Sequence, residues 1–332
     1  MGKKTHSTFP SIPWKAILRW AFVLFALAAL FWLLNKIGWN KIGHAFVAVG
    51  WSGALILVIL GLSESTLDAA ALDATMPRRI GLWRMLSYHC AGAIVNTLVP
   101  GEAGEVLKGS MLGRHVSTQQ AIAGTVLWNY IFKLTRPLAA LLAVLVSMIL
   151  GADVESKVTI IVLAGSILSF APYLVLKLLL RKGMAELIAR ILNRLRILKK
   201  DPEGFVKSAA ELDHSIRTFW RDRPGAYLKV FGLQIAARTS TWITLFATAR
   251  FMGLDYSFGL CALIYAGLSV GDYVVMTLPA RIGVSEGAGY LIFSFFGLDG
   301  GTGVIIYVLL RLKGLIANLI PALAAAHNRE RN

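Results

Sequence analysis

The chain has 332 residues, 56% hydrophobic and 16% charged, with a mean hydropathy of +0.65. A soluble domain carries about 25% charged residues, so this composition excludes an ordinary water-exposed globule. The net charge of +16 clusters between apolar runs and accompanies no nucleic-acid motif, which points to positive-inside loops and anionic headgroups, not nucleic acid.

A spanning helix needs about 20 apolar residues. In chain order, such runs fall at 14–34, 51–75, 119–150, 158–180, 226–251, 256–278 and 301–325. The basic N-terminus leads into the first run, which lacks a small-residue cleavage site and is followed by Asn35 and Lys36. That reads as a retained helix, not a signal peptide. Two further apolar stretches, 84–112 and 280–297, are broken by Gly, Pro and charge. Non-helical backbone at membrane depth is tolerated only inside protein or beside a cavity, so both are expected to be re-entrant. The expected fold is all-α: a polytopic transmembrane bundle of about seven to nine membrane segments. It forms one domain over 1–332, with 14–180 and 226–325 as pseudo-repeats.

The connector 181–224 holds eleven Lys and Arg against six acids and should be cytoplasmic, which puts the N-terminus and Arg78, Arg79 and Arg84 on the same side. The loop with Asp153 and Glu155 falls outside; Arg329 and Arg331 fall inside only if 280–297 crosses fully. Within the connector, Met184, Leu187, Ile188, Ile191, Leu192, Leu195 and Leu198 recur at helical spacing, with Arg190, Arg194 and Lys200 off the stripe. This suits either a helix in the headgroup plane or one packed on its neighbours.

Charges inside the apolar runs are the functional candidates, because each costs at least about 2.5 kcal/mol at the bilayer centre. Glu64 and Asp68 lie four apart on one helical face. They suit a proton relay, a cation site or a contact to a lipid amine; the alternative is an ion pair with Lys133, Arg136 or Arg238. Asp73 suits a partner in Arg78 or Arg79. Lys133 and Arg136 precede Pro137, a kink site, and suit an anionic group such as a lipid phosphate; alternatively Arg136 marks a membrane boundary. Cys90 and Cys261 read as core hydrophobes, and two cysteines exclude a disulfide framework or cysteine metal site. His89 and His115 flank the first broken stretch and read as boundary residues.

The broken stretches share a pattern: Pro, Gly four residues on, then Glu within three more. The first holds Pro100, Glu102, Gly104 and Glu105, followed by Lys108 and Arg114; the second holds Pro279, Arg281, Gly283, Ser285 and Glu286. Each precedes a helix carrying a cation, Lys133 or Arg311. Matching broken segments in two halves are a pointer to a transporter site. Helix N-termini there favour a phosphate or carboxylate, while the acids favour an amine. The alternative is a proline-glycine loop at the membrane surface.

NTLVPGEAGEVLKGSML and LPARIGVSEGAGYLIFSFFGL, the latter followed by VLLRLKGLIANLIPAL, resemble the flippase-like, lysylphosphatidylglycerol-synthase transmembrane family over 15–325. The resemblance extends to the membrane proteins associated with hopanoid biosynthesis clusters. The resemblance implies a helix bundle with re-entrant elements that translocates or handles lipids. It assigns Asn96, Pro100, Glu102, Gly104, Glu105, Pro279, Gly283, Glu286 and Arg311 to the functional motifs. In the multiple peptide resistance factors this bundle precedes a soluble aminoacyl-transferase domain; here the chain stops at Asn332, so transferase chemistry is not expected.

The expectation is therefore a bacterial inner-membrane protein that moves a lipid between leaflets. Arg114, Lys133 and Arg311 would hold a headgroup phosphate, and Glu102, Glu105 and Glu286 a cationic group. With no nucleotide-binding motif, movement would be downhill or coupled to protons through Glu64 and Asp68. No cofactor and no metal are expected. The rivals are a lipid-modifying enzyme using the loop acids, and an accessory subunit that recruits a soluble lipid-biosynthesis partner at 181–224.

Overall fold

The computed structural model describes residues 28, 31–98, 103–152, 154–174, 184–195, 202–275 and 283–330. Every regular element among them is a helix. We label these α1 (Trp39–Thr75), α2 (Leu82–Leu98), α3 (Ala103–Leu112), α4 (Thr118–Ile149), α5 (Ser156–Leu168), α6 (Met184–Arg194), α7 (Pro202–Asp222), α8 (Pro224–Phe251), α9 (Phe258–Val275), α10 (Val284–Phe295) and α11 (Gly300–Glu330). The expected run 14–34 lies mostly outside the described residues.

Among the described residues, four helices are long and apolar enough to cross a membrane: Trp39–Thr75, Thr118–Ile149, Ser156–Leu174 and Gly300–Ala324. The protein is thus a multi-pass helical membrane protein. Gly50, at φ 57° and ψ −176°, breaks α1, so the part after it coincides with the expected run 51–75. α4 continues through Pro137. The expected run 226–251 forms α8, whose buried Gln234 and Arg238 set it apart from a plain apolar span.

The surface is inverted relative to a soluble protein. Val47, Trp51, Leu168 and Ile320 are 80%, 93%, 73% and 71% exposed. Buried positions instead favour small residues, including Ala69, Ala71, Ala139, Ala140, Ala143, Ala262 and Ala266. Lipid is as apolar as leucine, so helices in a bilayer associate through close backbone approach and polar contacts.

α1 packs along α8, α4 along α9, and α2 along α11. The first broken stretch folds as the antiparallel pair α2–α3, and the described part of the second, α10, lies antiparallel to α9. Asn96 meets Gly104 and Gly92 meets Lys108 in α2–α3; Gly267 meets Phe296 and Gly271 meets Ala288 in α9–α10. At 1.5 Å per residue, α3 and α10 rise about 15 and 18 Å, too short to cross a core about 30 Å thick.

The connector is a helical pair against the bundle. Ile216 and Phe219 of α7 are buried in the core, and Arg223 donates to the Met76 carbonyl at 2.8 Å. Asp213 caps α6 by accepting the Glu186 N–H at 2.8 Å. On α6, Ala189 is buried, while Leu187, Ile188 and Ile191 remain about half exposed.

Candidate functional site

The centre of the bundle holds a cavity of about 440 Å³. Its described lining includes four acids, Glu64, Asp68, Glu105 and Asp272, and six bases, Lys108, Lys133, Arg136, Arg238, Arg311 and Lys313. Ten isolated charges would cost roughly 25–35 kcal/mol at membrane depth, against a net folding stability of about 5–15 kcal/mol. The charges therefore have to be paired or hydrated, and the pairs organise the site.

The first network joins α1, α8 and α11. Glu64 pairs with Lys313 at 3.0 Å and lies 3.8 Å from Arg238. Arg238 Nη2 donates to Asp68, and its guanidinium sits over the Phe132 ring, 4.5 Å from the centroid. Thr241 donates to Glu64 at 3.1 Å, and Ser65 donates to Asn318 at 2.7 Å. Arg238 was among the partners weighed for these acids from sequence; Lys313 was not. The second network joins α4, α9 and α11: Arg136 pairs with Asp272 at 2.7 Å, and Tyr307 donates to the other oxygen of Asp272 at 2.8 Å. Arg136 thus lines the cavity.

The tip of α2–α3 forms a third network. The Gly104 N–H, unsatisfied within α3, donates to Asn96 Oδ1 at 2.7 Å. Asn96 Nδ2 donates to Glu105 Oε1 at 3.0 Å, and the same oxygen pairs with Lys108 at 2.7 Å. Lys108 is 1% exposed and sits 4.1 Å above the Trp128 ring centroid. Trp128 in turn donates to the Asp68 carbonyl at 3.0 Å and meets His89 edge-on at 5.4 Å. Gly104 serves this tip by close approach: a Cβ there would lie 1.9 Å from the Gly92 carbonyl oxygen.

At the α9–α10 tip, Gly283 has φ 85°, and its N–H donates to Glu286 Oε2 at 2.7 Å. Arg311 pairs with Glu286 Oε1 at 2.5 Å. Glu286 is 1% exposed and does not line the cavity; Arg311 and Ser285 do.

The cavity therefore brings together Glu64, Asp68, Asn96, Glu105, Lys133 and Arg311. Arg114 is not among its lining residues; it lies in the turn after α3, beside His115. There, partial burial, then Arg84, Arg78 and Arg114, hold the His115 imidazole below its ordinary pKa. Pro100, Glu102 and Pro279 fall outside the described residues. Asp73 pairs with Arg79 at 3.0 Å and accepts the Ile80 N–H, so it closes the end of α1. Sequence reasoning missed Lys108, Asp272, Tyr307 and Lys313 as cavity residues, and His89, which is 7% exposed within the lining. The available signal was a charge inside an apolar helix, which Asp272 and Lys313 both are.

Among the described residues no group of three or more His, Cys, Asp or Glu is placed to hold a metal. No curated protein and no solved structure matches the chain significantly. A family model described as the lysylphosphatidylglycerol synthase TM region matches residues 19–322, and the chain belongs to that family.

Proposed function

We propose that this protein binds the headgroup of a phospholipid or related amphiphile in the central cavity and carries it between leaflets. The carrying observation is a cavity of about 440 Å³ inside an apolar bundle, lined by six bases and four acids. That volume falls within the range of about 300–1,000 Å³ for small-molecule sites, enough for a headgroup whose chains stay in lipid. Lys133, Arg136, Arg311 and Lys313 offer charge to a phosphate, and Glu105 and Asp68 to an amine or hydroxyl. Glu64 and Asp68, linked through Arg238 and Lys313, are the groups for proton coupling.

The same reading makes the two hairpins re-entrant and the halves 14–180 and 226–325 repeats. It places the protein in a bacterial inner membrane, with the N-terminus and 181–224 cytoplasmic and a hopanoid-related amphiphile among the substrates. A soluble lipid-biosynthesis partner would engage the exposed face of α6.

The test is reconstitution into vesicles carrying a headgroup-labelled phospholipid in the inner leaflet. The expected result is accelerated appearance of the label outside, with the lipid mass unchanged. A changed mass means enzyme chemistry, and an unchanged rate ends the transport reading.

A further inference from the structure

The helices of the two halves correspond under a single shift of about 179 residues, the separation of Pro100 from Pro279 and of Gly104 from Gly283. α1, α2, α3 and α4 then fall on α8, α9, α10 and α11 to within a few residues at most ends. The packing respects the correspondence: α4 on α9 is the counterpart of α11 on α2, and both pairs are in close contact. Directions agree too. Gln234 meets Trp128 and Arg238 meets Phe132, so α8 and α4 run parallel. Gly61 meets Lys313 and Ser65 meets Asn318, so their counterparts α1 and α11 also run parallel.

The decisive pair is α1 with its own counterpart, α8. Gly53 meets Phe251, Glu64 meets Thr241, Asp68 meets Arg238 and Met76 meets Arg223, so the two run antiparallel. Equivalent membrane helices pointing in opposite directions are related by an axis in the membrane plane. Thr241 is the counterpart of Leu62 and bonds Glu64 of the adjoining turn. The axis therefore passes through the cavity wall.

The halves differ at their short helices. α3 closes on α2 backbone to backbone at Gly92 and Gly104. Its counterpart α10 instead closes on α11, where a Cβ at Gly303 would lie 2.5 Å from the Gly289 carbonyl oxygen. Each half carries the small residues for the contact that the other makes. Gly271 and Gly283 correspond to Gly92 and Gly104; Ser110 and Gly124 correspond to Gly289 and Gly303. Here Gly271 and Ser110 have room, while Gly124 is buried against Met76. A Cβ at Gly271 would have no neighbour nearer than 3.9 Å, Ser110 is exposed, and Gly124 faces the flexible end of Met76.

Resting on the transport reading, we infer that the halves are inverted repeats that exchange packing. The opposite-facing state closes α10 on α9 at Gly271 and Gly283, and α3 on α4 at Ser110 and Gly124. These are positioning residues that act only in that second state.

The test uses Gly271→Ala and Ser110→Leu in the full chain, reconstituted with labelled phospholipid. Both positions have room here, so thermal midpoint and headgroup binding should match wild type. In the exchanged state each added side chain meets backbone, so flipping should slow by at least about tenfold. Either variant flipping at the wild-type rate overturns the inference while the transport reading stands. A loss of thermal stability in both variants also overturns it, because the positions would then already be close-packed. Wild-type protein that moves no lipid removes the transport reading itself, and this inference with it.

Discussion

The two hairpin tips carry the same run of Pro, Gly and Glu and use it differently. At the α2–α3 tip, Glu105 uses one oxygen for Asn96 and Lys108 and leaves Oε2 buried without a partner among the described residues. At the α9–α10 tip, both oxygens of Glu286 are bonded, one to Arg311 and one to the Gly283 N–H. The first glutamate lines the cavity; the second stands behind it and holds Arg311 in place. A shared motif therefore specifies a helix start with a buried acid, and the neighbouring helix decides whether that acid faces substrate or supports a cation.

Amide substitutions break this comparison most sharply. In Glu286→Gln, whichever way the amide turns, its NH2 confronts a donor, the Gly283 N–H or the Arg311 guanidinium. The expected loss is about 3–5 kcal/mol, as for a broken buried pair, read as a clear fall in thermal midpoint. In Glu105→Gln the carbonyl keeps Asn96 and Lys108, and the NH2 takes the unpartnered side. The buried Lys108 keeps its hydrogen bond but loses its counter-charge, so the loss is expected to be about 1–3 kcal/mol, below that of Glu286→Gln. Equal losses in the two variants would remove the distinction between the tips.

Backbone approach separates the tips next. Gly104→Ala places a methyl 1.9 Å from a carbonyl oxygen and forces α2 and α3 apart, an overpacking of about 1–3 kcal/mol, again read by thermal midpoint. An unchanged midpoint would mean that the hairpin is looser than it stands here.

The smallest effect lies beyond both tips, before α11. Asp299 pairs with Lys41 at 2.5 Å and accepts from the Thr302 hydroxyl and N–H. Partial burial raises its pKa, but these partners outweigh burial and bring it from 3.8 to about 2. A carboxylate with a depressed folded-state pKa contributes stability above its unfolded value, and that contribution is lost as pH falls through the folded value. The pair is about half exposed, so solvent screening keeps it below about 1 kcal/mol. Wild type should exceed Asp299→Asn slightly in thermal midpoint near neutral pH, and the gap should shrink below pH 3.8 towards about 2. A gap that widens on acidification would contradict the sign.

Much of this architecture is legible in the sequence, because a membrane-crossing length and a Pro-Gly interruption are both local signals. The extents of α4, α9 and α11, and the part of α1 after Gly50, follow from apolar length. Helical spacing also puts Glu64 and Asp68 on one face. It does not say which helix faces them. Arg136 meets Asp272 across 136 residues and Lys313 meets Glu64 across 249, and no local period carries such pairing. His89 reads from sequence as a boundary residue and Lys108 only as a cation after the loop motif; the folding back of α3 on α2 makes both interior.

The charge network joining α1, α8 and α11 also bears on how the chain is made. Asp68 waits 170 residues for Arg238, and Glu64 waits 249 for Lys313. At about 5–20 residues per second, the first gap alone lasts on the order of 10–30 s. During that interval a newly made helix carries two acids with neither cation yet synthesised. Until then the acids need water, protonation or an earlier cation such as Lys108 beside them, so this network closes only once α11 is made.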